Sequence, residues 1–558
     1  MGATLRALRA LVLLLGFYLL SLVLLAVLVG VDVVAFRWGH GPAMLKLGFV
    51  TVLLAVPVVQ GMFMLRTPKG EDGPGIDVTE AAEPRLWALV REVAAAAGTR
   101  APDRIRLTGE VNAAVSEDPR LLGLLPGPRR LYLGVPLLTG LTEARLRAVL
   151  AHEYGHFTGG DTRLSALVVR GRVQLGRVIE QFHDRADGKV AAERAKQEQA
   201  QAKRAARGKK AKQVDTSGSG ATYRMMAAVY THYAKLYLRA SLSTARGQEF
   251  AADQVAARIA GRDAMAATLR EIPVLSVSHG FYLDSYATLG LGARLLPPRG
   301  EFFGGFGALL AARAEELEGL RERLPEEPAS PYDSHPPIAE RVRRIEALPA
   351  DGRADEATGP ALALLTDPAR TLAVLEDAVL TDEVLRYGRA PGWPELLNAS
   401  MASGLSTART PLHQALAART GQPATLAALL EVVDAGGLWQ LAEQLPLSAE
   451  AKAARGRAFR EFARPVLHRS LRTMVLAEFS ARSLLSWDFS WSEPAAVRLP
   501  GALPAAADGD GRSPKESSKE SPDESPEKSL EAALDAALAD HPDTTALRAL
   551  LPSAPQPA

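Results

Sequence analysis

Residues 152–156 read His152, Glu153, Tyr154, Gly155, His156, and the fold turns on whether they lie on a helix. Working outward, Leu146, Val149 and Leu150 recur at helical spacing over residues 143–157, and Thr142 stands before them as a helix N-cap. On such a helix positions i and i+4 share a face. Both imidazoles can then reach one metal ion, while Glu153 points beside it toward the open coordination position. The arrangement suits water activation: zinc held by three protein ligands brings the pKa of water down to about 7, and an adjacent carboxylate can take the proton and pass it to a leaving amine. The plain alternative is two surface histidines on an ordinary helix.

Composition narrows the donors. The 558 residues include no cysteine, so disulfides, Cys-ligated zinc, iron–sulfur clusters and a cysteine nucleophile are excluded, and a metal must rest on His, Asp or Glu. With 65 Lys+Arg against 63 Asp+Glu, there is no global field for nucleic acid. A third ligand is available in Glu249 to Asp253, read Glu-Phe-Ala-Ala-Asp, where Glu249 and Asp253 share a helical face. One of the two can bind the metal while the other hydrogen-bonds a ligand imidazole and sets its tautomer.

These residues resemble the membrane-associated zinc metallopeptidases that include the CAAX prenyl endopeptidases and the HtpX heat-shock proteases. The resemblance covers roughly residues 75–350. It rests on Asn112 and Ala113 before the motif helix, the Leu-rich approach from Leu146 to His156, Asp161, Glu249 to Asp253, and Ser334 to Pro337 followed by Glu340 and Arg341. It implies that His152, His156 and Glu249 bind one zinc ion per chain and that Glu153 is the general base. It further implies that His335 approaches the metal and stabilises the tetrahedral oxyanion, that Asp253 and Asp161 support the ligands, and that Asn112 and Ala113 lie on an edge strand pairing with the substrate backbone. Many relatives place two more spanning helices between the motif helix and the third ligand. Here Arg170, Arg172 and Arg177 interrupt the first candidate, and Arg224, Lys235 and Arg239 the second. The tyrosines at 223, 230, 233 and 237 read as packing residues.

A mean hydropathy of zero averages unlike segments. Residues 11–31 carry no charge and span about 31 Å as a helix, the thickness of a bilayer core. A second uncharged run, residues 47–65, contains Pro57, which spanning helices tolerate. Arg6 and Arg9 before the first run, and Arg66, Lys69, Arg85 and Arg91 after the second, favour both ends inside, with the bulk of the chain cytoplasmic. A cleaved signal peptide is the competing reading of the first run.

The expected organisation is therefore a two-helix membrane anchor (1–66), a linker (67–78), a metallopeptidase domain (79–349), a helical C-terminal region (350–503) and a disordered tail with one short helix at Leu530, Leu534 and Leu538 (504–558). Strands are expected at 104–108, 112–115 and 131–135, and helices at 83–97, 160–182 and 221–260. A basic, flexible insertion (184–219) reads as solvated surface or as contact with anionic lipid. The fold class is α+β, zincin-like (gluzincin), mostly helical with a small sheet after two transmembrane helices, plus a helical C-terminal region. The expected activity is a membrane-anchored zinc endopeptidase acting on polypeptides, in contact with membrane lipid. Ala-, Arg- and Gly-rich usage looks like GC-rich bacterial coding and favours membrane-protein quality control. The alternatives are a prenyl-protein processing peptidase and, from another class, an inactive membrane scaffold.

Overall fold

The computed structural model describes residues 3–38, 42–63, 73–117, 127–158, 162–207, 215–216, 218–323, 336–353, 359–499 and 526–549. The chain opens with α1 (Ala3–Trp38) and α2 (Pro42–Phe63), then β1 (Ile76–Val78), α3 (Pro84–Ala96), β2 (Arg104–Thr108), β3 (Ala113–Glu117) and β4 (Arg129–Gly134). It continues through α4 (Val135–Gly140), α5 (Glu143–Gly155), α6 (Thr162–Ala205), α7 (Ala221–Ala260), α8 (Arg262–Tyr282), α9 (Glu301–Ala312), α10 (Ala314–Glu322) and α11 (Ile338–Glu346). Two compact units result: Met1–His279 with Ala314–Val379, and Gly280–Arg313 with Leu380–Ala558.

In the first unit the strands form one sheet in the order β1-β2-β4-β3, with β2 and β4 parallel and both outer strands antiparallel to their neighbours. Ile105, Leu107, Leu131 and Leu133 alternate along β2 and β4 and are fully buried, whereas Arg104 and Arg106 turn to the other face. This is the period-2 pattern of a sheet with one covered face. Leu86, Val90 and Val93 of α3 and Leu146 and Leu150 of α5 complete the core.

The motif helix begins as expected. Thr142 accepts a hydrogen bond from the Arg145 amide at 3.3 Å, and Glu143 lies in the first turn, where a negative charge is favoured. A buried carboxylate, Glu271 of α8, then clamps α5 and α10: it accepts from Arg145 Nη1 at 3.0 Å and from Arg321 Nε at 2.6 Å. Opposite charges paired this way keep the buried carboxylate from being stranded.

Four expectations change. Residues 76–78, inside the supposed linker, form strand β1, because Ile76–Val78 pairs along β2. The supposed flexible insertion begins as helix: α6 runs on to Ala205. The boundary drawn at 349 moves, since Glu83 is buried and accepts from the Thr366 amide at 2.6 Å and from Thr371 Oγ1 at 2.9 Å. That network ties residues up to Val379 to the first unit. Residues 280–313 in turn cluster with the C-terminal unit, where Tyr282, Tyr286 and Trp393 join Phe489 and Trp491 in one aromatic cluster.

The fourth change concerns the anchor. Among the described residues one stretch, Leu15–Arg37 in α1, is long and apolar enough to cross a membrane, whereas the apolar stretch of α2, Leu47–Val59, is shorter. At 1.5 Å per residue the latter covers about 20 Å. Phe17 of α1 and Leu54 and Val58 of α2 pack against Val178 and Phe182 of α6 and Tyr223, Tyr230 and Tyr237 of α7. The tyrosines are thus packing residues. Tyr230 stacks on Phe182 with ring centroids 5.9 Å apart, and its hydroxyl meets Ser21 Oγ at 3.1 Å. Among the described residues the opposite side of the helix pair is uncovered: Leu15, Leu19, Val27, Phe36 and Phe49 are exposed and form an apolar face.

In the second unit the long helix Gly456–Ala481 buries Leu467, Leu471 and Val475 against Leu416, Leu430 and Leu441. The helix Pro526–Ala537 adds Leu530 and Leu534 to this core, and Arg472 pairs with its Glu531 at 3.0 Å. Residues 504–525 of the expected disordered tail lie outside the described residues.

Candidate metal centre and active site

The helical spacing of α5 carries His152 and His156 onto one side, where α7 crosses and presents Glu249. One ligand atom from each lies within 4.8 Å of the others. The Nε2 atoms of His152 and His156 are 3.3 Å apart, and they lie 3.7 Å from Glu249 Oε2 and Glu249 Oε1 respectively, so the carboxylate faces both rings. A tetrahedral zinc site with bonds of about 2.0–2.1 Å has donor–donor edges of about 3.3–3.4 Å. The His–His edge matches that value and the carboxylate stands a few tenths of an ångström farther out, so the three side chains are grouped closely enough to share one metal ion. Glu249 is 6% exposed, whereas the His156 side chain keeps 29% of its surface, so one side of the triad is open.

The groups behind the donors set their protonation. His152 Nδ1 lies 2.9 Å from Asp253 Oδ1. An ionised Asp253 takes the bond from an Nδ1 proton, which leaves the Nε2 lone pair for a metal. Asp253 is only 1% exposed, and a charge so deep needs a partner. Arg341, on α11, supplies it: Nε donates to Oδ2 at 2.9 Å and Nη2 to Oδ1 at 2.6 Å, while Nη1 stands 3.5 Å from Glu249 Oε2. Burial pushes the Asp253 carboxyl up, but the bonds from Arg341 and His152 outweigh it and hold it below its usual value. Burial likewise opposes the Arg341 charge, and the Asp253 pair raises that guanidinium above its ordinary value.

Glu153 and His152 line a cavity of about 160 Å³ together with Asn112, Ala113 and Arg341, and Leu137, Val149, Met265, Leu269 and Ile272 form apolar wall. Ala113 begins β3, an outer strand of the sheet. The approach to β3 depends on Gly134, whose amide donates to Asn112 O at 2.7 Å. A methyl on Gly134 would collide with the Glu110 carbonyl and lie 2.9 Å from Asn112 O, so only glycine lets residues 110–112 rest on β4.

The sequence model of peptidase family M48 matches residues 80–348. The match is consistent with the M48 family of metallopeptidases. No curated protein and no solved structure matched the chain. The match supports metallopeptidase activity for this part, and His152, His156 and Glu249 form a group that could hold a metal ion.

Of the residues expected at the M48 site, His152, Glu153, His156, Glu249 and Asp253 come together, and Asn112 and Ala113 line the adjoining cavity. Asp161 and His335 lie outside the described residues. Arg341 was visible only as part of a motif. Its signal, one Arg among several on α11 and 92 residues beyond Glu249, becomes informative once its bidentate bond to Asp253 is seen.

Proposed function

We propose that the chain is a zinc-dependent endopeptidase anchored to a membrane by its N-terminal helices. The observation that carries this reading is the approach of the His152, His156 and Glu249 donors to within 4.8 Å beside a cavity that Glu153 also lines. A zinc ion held there supplies Lewis acidity and brings the pKa of water to near 7. Glu153 takes the proton of the attacking water and delivers it to the leaving amine. Asp253 and Arg341 keep His152 in the tautomer and orientation that zinc binding needs. Substrate backbone pairs with the outer edge of β3 near Asn112 and Ala113, in an extended conformation. The apolar wall of the cavity holds one apolar side chain next to the scissile bond. His335 and Asp161 keep the roles that the family pattern suggests, oxyanion stabiliser and ligand support.

The bare apolar face of α1 and α2 supports attachment to lipid, and the Lys and Arg following the second apolar run support a cytoplasmic position for the peptidase. Membrane-protein quality control is the role that fits a protease so placed.

The test uses the purified full chain in detergent and fluorogenic peptides with either Leu or Asp following the scissile bond. Cleavage is expected to disappear on chelation and to return with added zinc. Leu peptides should be cut at least about 10-fold more efficiently, since burying a Leu side chain is worth roughly 1.5–3 kcal/mol. Cleavage that survives complete removal of metal would rule out the reading.

A further inference from the structure

Gly155 occupies an interior position of the His152–His156 motif, and nothing in its backbone requires glycine: its φ is not among the positive values found elsewhere in the chain. Gly155 is the last residue of α5 and keeps an ordinary negative φ, a place where alanine would serve the helix at least as well. The reason for it lies across the helix interface. A methyl on Gly155 would stand 2.8 Å from Ala252 Cα, 3.1 Å from Ala252 Cβ and 3.1 Å from the Ala252 carbonyl oxygen. Carbon atoms in contact sit about 3.5–4.0 Å apart, so the shortfall is close to an ångström and falls on backbone, which cannot swing aside.

The contact sits at the centre of the donor set. Gly155 lies between His152 and His156 on α5, and Ala252 lies between Glu249 and Asp253 on α7. We infer that Gly155 is a positioning residue: its missing side chain sets the separation of α5 and α7, and with it the spacing of the His152, His156 and Glu249 donors. This rests on the zinc reading above and extends it to a residue that touches neither metal nor substrate. Metal–donor distances tolerate about 0.2 Å, several times less than the displacement a methyl would demand. Neither helix is free to absorb it. Arg145 of α5 is held by Glu271, and Asp253 of α7 by Arg341. The strain therefore passes into the donors.

Gly247 provides the comparison. It lies on α7 two residues before Glu249, and a methyl there meets nothing within 4 Å. Gly247 lies within α7 and Gly155 is the last residue of α5, so alanine is no worse a helix former at either, but only Gly155→Ala pushes the helices apart.

The experiment is zinc titration of the metal-free full chain in detergent, by competition with a chromophoric chelator. It is paired with the visible spectrum of cobalt(II) in the site and the circular dichroism of the metal-free proteins. Gly155→Ala is expected to weaken zinc binding by roughly 10–100-fold, the range typical of disturbed supporting residues, and to alter the cobalt spectrum. Its metal-free circular dichroism should match wild type. Ala252→Val, which fills the contact from the other helix, should act in the same direction, and Gly247→Ala should bind as wild type does. Unchanged zinc affinity in Gly155→Ala, beside a wild type that binds zinc, overturns the inference. So does loss of helical signal in the metal-free variants, because the contact would then serve the fold and not the donor spacing. A wild type that binds no zinc would instead defeat the metallopeptidase reading itself.

Discussion

Glu153→Gln should abolish almost all peptidase activity while leaving the fold and the metal in place. The substitution keeps size and shape and removes only the ability to accept a proton. Glu153 is partly exposed at the cavity wall and is not one of the three donors, so neither zinc content nor melting temperature should change. A positioned general base contributes typically 10²–10⁴-fold, and here the same carboxylate also protonates the leaving amine, so the loss should reach about 10³-fold in kcat with KM little altered. Side-by-side kinetics on one peptide, with zinc measured in both samples, decide it. Activity within 10-fold of wild type would remove Glu153 from the chemistry.

The second large effect is expected at Arg341. Replacing it with Met preserves much of the volume but strips Asp253 of its bidentate partner, leaving that buried carboxylate with the bond to His152 alone. Breaking a buried ion pair by removing one member costs about 3–5 kcal/mol, which for a unit of this size lowers the melting temperature by about 4–7 °C. The site should suffer as well. An Asp253 that takes up a proton no longer fixes the His152 tautomer, so zinc affinity should fall by roughly 10–100-fold. Arg341→Lys keeps a charge without the planar fork and should lie between the two. Differential scanning fluorimetry and zinc competition on the three proteins check both effects. A stable Arg341→Met that binds zinc normally would mean that Asp253 is held by groups other than Arg341.

Much of the site could be read before any coordinates. The i, i+4 histidines and the Glu249 to Asp253 pair are local patterns on helices, and helices impose their geometry from sequence spacing alone. Thr142 announced the start of α5 by its capping chemistry, and residues 104–108 matched β2 residue for residue. What escaped depends on distant partners. Arg341 acts on a residue 88 positions away, and Gly155 has meaning only against Ala252 of another helix. Strand β1 is three residues long in a Gly- and Pro-rich stretch and is stabilised by its pairing with β2, which no local pattern reveals. The unit boundaries were misplaced for the same reason. The cluster joining Tyr282 and Tyr286 to Trp393 and Trp491 forms between segments far apart in the chain, and the Glu83 network reaches nearly 300 residues forward. At the N-terminal end, composition located both apolar helices. Composition did not reveal that one side of the pair packs on α6 and α7, which bear charges along their length.

The most direct test of the account is the zinc content of the purified full chain, set beside that of Glu249→Ala. Three donors spaced as His152, His156 and Glu249 are should hold one zinc per wild-type chain, and loss of the carboxylate should reduce this to near zero under the same purification. Wild-type protein without zinc, or equal zinc in both proteins, would contradict the claim that these three residues form the metal centre.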